Sequence, residues 1–318
     1  MGPRLHLGVD ENGLGPRLGP LVVTGALARI DSGSVPDALF AKGVSRGLLG
    51  DSKGLVSYRD DALGEAWARV LTRGACGGAA APNDVLEVLH LDGRVWLRAL
   101  CPSAHAEQCW GSAHEVFHAQ ASLVADVAAF VAELRAAGVT LGVPRVAIRC
   151  TARLNEALAR GRSRFDEDLH AMEAIVAWAM EEAAREGRFV EAVCGKVGNR
   201  VRYLEAFRTL PAHEVAFFDE LPEASTYRFG DRAVVRFVRD ADADDLLVGL
   251  ASLVGKWTRD LLMDRIVTHH RRLVPEAERV SGYHDPRTAR FVELTRPARL
   301  RSGLPDRCFE RTKREATR

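Results

Sequence analysis

The sequence predicts an α/β fold in which a mixed sheet is flanked by helices. Three observations carry this. The chain opens with two strand-like segments joined by a Gly/Pro turn (residues 4–30), its middle third alternates short apolar strands with helical patterns, and a second hairpin runs into a long helix (226–270). With 318 residues, 47% of them hydrophobic, the chain can bury a substantial core as one large domain or two ordinary ones.

In order, RLHLGVDEN and PLVVTGALARI read as strands of a hairpin-like opening. Helical patterns follow near 57–73 and 112–137. Between them lie a connector, GACGGAAAPN (74–83), and an expected strand from Val85 to Leu91. RVAIRC (145–150) predicts a short strand, 165–186 a long amphipathic helix, FVEAVCG (189–195) a strand, and HEVAFFD (213–219) another after a short helix. TYRFGDRAVVRFV reads as a hairpin. The segment DDLLVGLASLVGKWTRDLLMDRIVTHH reads as a helix whose acidic start and basic end both complement its dipole. Arg296, Arg299, Arg301, Arg307, Arg311, Lys313, Arg314 and Arg318 make the end of the chain its one clearly basic stretch, expected as a tail over 296–318.

Lys and Arg number 44 against 43 Asp and Glu, so no global field points to a polyanionic partner and any nucleic-acid surface must come from local clustering. The N-terminus lacks the regions of a signal peptide, and no apolar run reaches the roughly 18 residues of a membrane span. Six cysteines are spread without the density of a disulfide scaffold, and the reading places the protein in the cytoplasm, as a monomer. Cys101, His105, Cys109, His114 and His118 fall within eighteen residues. The histidines at i, i+4 on an expected helix allow zinc, but the short Cys-x₂-Cys spacing is missing and a surface helix with packed cysteines is the preferred reading.

At Asp10 and Glu11 two carboxylates stand side by side where an apolar strand meets a glycine-rich turn. Such a pair is either a local turn device or a cation site. Successive strand residues face opposite ways, so both acids reach one cation only where the strand end twists or breaks, as Asn12 and Gly13 allow.

Together with GVDENGLGPRLGP, three later segments resemble, in order and spacing, the type 2 ribonucleases H, the HII/HIII group. They are GDSKGL (50–55), DADADDLLVGLASLVGKWTRDLLM (240–263) and SGYHDPRTARFVE (281–293). The resemblance implies a ribonuclease H-like mixed sheet flanked by helices, with a helical insertion and a C-terminal helical extension. One domain over 1–295 is expected, 74–144 being the insertion. The implied chemistry is hydrolysis of the RNA strand of an RNA/DNA hybrid, or of a ribonucleotide-containing duplex, with Mg²⁺ or Mn²⁺ as cofactor. Two hard cations about 4 Å apart need clustered carboxylates.

Carried onto this chain, the resemblance makes Asp10, Glu11 and Asp242 catalytic residues and metal ligands. Asp242 lies ten residues before Ser252, just ahead of the helix, while Asp244 and Asp245 read as helix caps. Gly13, Leu14 and Gly15 occupy the substrate loop, with Leu14 standing where related enzymes carry Arg or Lys. Ser52, Lys53, Lys256 and Arg259 suit phosphate contacts, and Tyr283 matches a tyrosine that packs on a sugar. Asp260 reads as part of an exposed helical face.

One departure matters most. The remaining family acid should end the strand FVEAVCG, and there the chain has Gly195. An active nuclease would recruit a substitute, with Glu220 or Asp219 as candidates; Glu191, four residues upstream, is roughly 13 Å away along the strand and too far. A degenerate homologue would bind hybrid or structured nucleic acid without cutting it. A different hydrolase on the same scaffold is a third reading.

Overall fold

The computed structural model describes residues 4–30, 37–50, 55, 60–101 and 106–312. Ser52, Lys53, His105, Lys313, Arg314 and Arg318 lie outside the described residues. The strands are β1 (Arg4–Asn12), β2 (Leu21–Ile30), β3 (Val139–Leu141), β4 (Arg145–Arg149), β5 (Phe189–Gly195), β6 (Phe217–Glu220), β7 (Ala224–Phe229) and β8 (Ala233–Val238). They form one mixed sheet in the order β3-β2-β1-β5-β8-β7-β6, with β4 also paired to β2. The hairpins β1–β2 and β7–β8 are antiparallel, as the sequence predicts, and β1–β5 and β5–β8 are parallel.

The helices are α1 (Asp37–Ser45), α2 (Ala62–Cys76), α3 (Pro82–Leu89), α4 (Arg94–Arg98), α5 (Ala106–Trp110), α6 (Ala121–Ala136), α7 (Thr151–Ala159), α8 (Arg164–Glu186), α9 (Ala241–Asp244), α10 (Leu246–Leu273), α11 (Pro286–Ser302) and α12 (Asp306–Phe309). Two of them sandwich the sheet. Leu5, Leu7 and Val9 of β1 share a core with Leu169, Met172, Ile175 and Val176 of α8. The alternate residues meet α10 instead: His6 bonds Asp245, Gly8 abuts Leu247, and Asn12 donates to the Ser252 carbonyl. A Cβ at Gly8 would lie 2.2 Å from the Leu247 carbonyl carbon, so glycine is what lets α10 rest on the sheet. Among the described residues, no helix is long and apolar enough to cross a membrane.

The described part of 74–144, expected as an insertion, is mainly helical and ends in β3, and its Val85, Leu86, Leu89, Leu97, Phe130 and Leu134 pack with β2 and α10. Four expectations are corrected. Residues 85–91 are mainly helical, because Pro82 opens α3 and Asp84 accepts the N–H groups of Ala80 and Ala81. Only 121–136 of the expected 112–137 helix forms. The buried Glu65 carboxylate takes the N–H groups of His118 and Ala119, each at 2.9 Å, so His114 and His118 do not share a helical face. Of the strand expected over 213–219 only its end forms, as β6, an antiparallel edge strand paired with β7. The basic stretch is no tail up to residue 312: Arg296, Arg299 and Arg301 belong to α11, and Arg299 and Arg311 are buried.

Candidate active site

Pairing between β1 and β5 ends at Val9↔Cys194, while β1 stays paired with β2 through Asn12. The sheet is therefore open beside Asp10 and Glu11, and a cleft of about 760 Å³ occupies the opening. Asp10, Glu11, Gly13, Leu14, Gly15, Asp242, Lys256, Arg259 and Tyr283 all line it, as do Gly195 and Ser252. Asp10 falls on the α10 face of β1 and Glu11 on the α8 face, so the acid pair straddles the sheet end. On the α10 side, Asp240 adopts a left-handed backbone conformation (φ 50°) that turns the chain from β8 into α9, which carries Asp242. Asp245 caps α10, accepting from the N–H groups of Leu247 and Val248, as the cap reading required.

The loop after the acids is held from behind. Arg311 donates to the carbonyls of Gly13 (2.8 Å) and Gly19 (2.8 and 2.9 Å), and Arg164 donates to that of Leu14 (3.2 Å). Gly13 has φ +88°, and a Cβ there would lie 2.5 Å from Arg259 Nε. Arg259 itself is not a solvent-facing phosphate ligand. It is 1% exposed, donates to Asp260 and to the Ser281 carbonyl, and lies 4.9 Å from the Tyr283 ring centroid. Asp260, expected on an exposed face, is buried between Arg259 and Lys256. Tyr283 is 46% exposed and leaves ring surface open to the cleft.

Gly195, at whose position the resemblance implies an acid, ends β5 beside the acid pair. A Cβ built there lies 3.0 Å from Asp10 Oδ1 and 3.6 Å from Glu11 Oε2. Glu220 is not in the cleft: it accepts from the Tyr203 N–H at 3.0 Å and from the Tyr227 hydroxyl. Its edge strand puts it three strands from β5, and Asp219 shares that strand.

The acid that the sequence reading missed is Asp168, in the first turns of α8. Its neighbours Asp166 and Glu167 are paired with Arg200 (2.7 Å) and Arg162 (2.8 Å). Asp168 is fully buried, and neither carboxyl oxygen has a hydrogen-bond partner. Burial, and then the Asp10 charge, push its pKa well above the carboxylate range. Burial likewise raises Glu11, followed by the charges of Asp168 and Asp10 and, more weakly, Asp242. A signal existed in the sequence: Asp168, Met172, Ile175 and Ala179 follow one another at helical spacing, which puts this acid in line with the apolar stripe.

Asp10, Glu11 and Asp242 offer the hard oxygen donors that a divalent cation takes, and Asp168, which does not line the cleft, is buried with neither carboxyl oxygen partnered. Among the described residues, no group of three or more His, Cys, Asp or Glu side chains is arranged to hold a metal ion as it stands. Cys101, Cys109, His114 and His118 are among those described residues, and His105 is not. Cys109 packs in an apolar cluster with Cys150 and Cys308, and burial first, then neighbouring thiols, push its pKa up to about 12.

The antiparallel β1–β2 hairpin, its parallel continuation through β5 and β8, and the helices packed on both faces make the mixed α/β sheet that the sequence predicts, with the acid pair at the end of β1. Among solved structures, the chain is similar to ribonuclease HII of Archaeoglobus fulgidus from its complex with PCNA. The two share 18% identity at a TM-score of 0.45, over 99% of this chain and 96% of that one. It is also similar to a point mutant of Bst-RNase HIII, with 13% identity and a TM-score of 0.48, over 98% of this chain and 67% of that one. For Bst-RNase HIII in complex with Mn²⁺ the values are 12% and 0.45, over 97% and 66%. No protein-family model and no curated protein matches the chain.

Proposed function

We propose that this protein is a divalent-metal-dependent endoribonuclease of the ribonuclease H type, acting on the RNA strand of RNA/DNA hybrids or ribonucleotide-containing duplexes. The observation that supports it is the meeting of Asp10, Glu11 and Asp242 in one cleft with the glycine loop, Lys256 and Tyr283. Asp10, Glu11 and Asp242 would hold Mg²⁺ or Mn²⁺, which when bound supplies a polarised phosphate and offsets charge on the leaving oxygen.

The remaining work falls to the chain's own groups. The loop from Gly13 to Gly15 has no Cβ at either end, which allows backbone to approach a ribose closely and sense its 2′-hydroxyl. Tyr283 offers a ring face to a sugar or base, and Arg259 fixes that ring from the protein side. Lys256, whose ammonium lies 2.9 Å from Asp260, supplies positive charge at the cleft wall for a phosphate. None of these groups reads base edges, so recognition is by sugar and backbone.

The test is incubation with a labelled RNA/DNA hybrid in Mg²⁺ or Mn²⁺, with a DNA duplex and a chelator as controls. Metal-dependent cuts in the RNA strand that vanish in Glu11→Gln support the reading. Cleavage of both duplexes alike, or cleavage indifferent to Glu11→Gln, contradicts it. A second reading, hybrid binding without cleavage, is favoured by the absence of a side chain at Gly195; tight hybrid binding with no cuts in either metal would select it.

A further inference from the structure

We propose that Asp168 replaces the carboxylate missing at position 195, supplying the fourth acidic ligand of the cation site from helix α8 instead of from strand β5. The assignment rests on the ribonuclease reading and goes beyond it, because it names a residue and a helix that the resemblance does not assign.

A side chain at 195 would enter between Asp10 and Glu11 from the end of β5, its Cβ 3.0 and 3.6 Å from their oxygens. Glycine puts no carboxylate there. Asp168 belongs instead to α8, the helix packed on one face of the sheet. Leu169, Met172 and Ile175 seat α8 against Leu5, Leu7 and Val9, and Glu11 continues that face of β1 toward the start of α8. The start of α8 also meets the cleft loop, where Arg164 donates to the Leu14 carbonyl at 3.2 Å, and Ile175 further along the helix packs at Gly25 beside Leu7. The charges of Asp10 and Glu11 bear on the Asp168 carboxyl.

A purely structural role does not account for this side chain. Other buried acids of the chain have work to do: Glu173 accepts the N–H groups of Arg208, Thr209 and Leu210, and Glu65 those of His118 and Ala119. Asp168 is as buried as Glu173, yet both its oxygens lack a partner. A carboxyl removed from water without donors is costly, and costlier still beside two more acids. A cation between Asp168 and the β1 acids removes that cost, and the same step gives four acids to the site.

The experiment compares wild type, Asp168→Asn, Gly195→Asp and the double variant. Mn²⁺ binding is read by titration calorimetry, and hybrid cleavage is measured alongside it. Asp168→Asn is expected to weaken Mn²⁺ binding by about tenfold or more, and Gly195→Asp in the same chain to restore most of it, with cleavage following. Wild-type Mn²⁺ affinity in Asp168→Asn overturns the assignment while leaving the ribonuclease reading standing. Wild type that neither binds Mn²⁺ nor cuts hybrid overturns both. Should Asp168→Asn fail to fold, anomalous scattering from Mn²⁺-soaked wild-type crystals decides. An ion against Asp168 and either Asp10 or Glu11 supports the assignment, and an ion held without Asp168 overturns it.

Discussion

The Arg311 guanidinium donates to the Gly13 carbonyl oxygen at 2.8 Å, tying the end of the described chain to the loop that lines the cleft. Arg311 also binds the Gly19 carbonyl twice and is 5% exposed. Replacing it by Leu leaves buried carbonyls without donors, so stability should fall by about 2–4 kcal/mol, read from urea unfolding. Hybrid binding should weaken with it. Truncation after residue 310 should do the same; a truncated protein of unchanged stability would refute the anchoring role.

Gly13→Ala tests the loop directly. The position combines φ +88° with 2.5 Å of clearance to Arg259 Nε, so alanine must strain the backbone and displace a buried guanidinium. A loss of about 1–3 kcal/mol is expected, together with a raised KM for hybrid. Gly15→Ala, which meets nothing within 4 Å, should be nearly silent for folding. Equal effects from both substitutions would contradict this account of the loop.

His6 of β1 links the cap of α10 to β5, bonding Asp245 at 2.9 Å with Glu191 at 3.8 Å. Burial alone would lower its pKa, but the bonds and charges of Asp245 and Glu191 outweigh burial and raise it to about 9. A raised folded pKa means the contribution is complete below the unfolded value of about 6.5 and is lost as pH climbs through about 9. Unfolding free energy should therefore decline over that window by on the order of 3 kcal/mol. His6→Gln should flatten the profile there, and an unaltered slope would exclude His6 as its source. Asp245 and Glu191 are held below the usual carboxylate range, so their share of stability disappears in acid.

What could be read from the sequence was whatever is encoded locally. The acid pair, the glycine loop and α10 each carry their pattern in consecutive residues, and the alternation of β1 already implied that Asp10 and Glu11 look to different faces. Val85 to Leu91 misled because the apolar run fits either period, and Pro82 with Asp84 decided for helix. The segment 112–120 misled because its N–H groups are claimed by Glu65, about fifty residues earlier in the chain. Asp168 stayed hidden for the same reason: in DEDL it looks like one more acid favouring a helix N-terminus, and only the packing of α8 on β1 separates it from Asp166 and Glu167. The basic residues after 295 read as a tail because composition does not reveal that Arg299 and Arg311 spend their donors on carbonyls inside the protein.

Lys256 and Tyr283 separate the two ways in which the cleft is proposed to hold nucleic acid. Lys256 contributes charge, so Lys256→Gln should weaken hybrid binding most at low salt and reduce the slope of log affinity against log salt by about 1. Folding should survive, because Asp260 retains Arg259 as a partner at 3.1 Å. Tyr283 contributes a ring face, so Tyr283→Ala should cost about 1–3 kcal/mol of binding with the salt slope intact, while Tyr283→Phe keeps most of the affinity. Scrambling the bases of the hybrid should alter neither result, since backbone and sugar contacts carry no base information. Measured by fluorescence anisotropy over a salt series, these four behaviours are independent of cleavage. A salt slope that falls with Tyr283→Ala and not with Lys256→Gln would reverse the assignment of roles, and strong dependence on base order would replace sugar recognition with a base-reading mode.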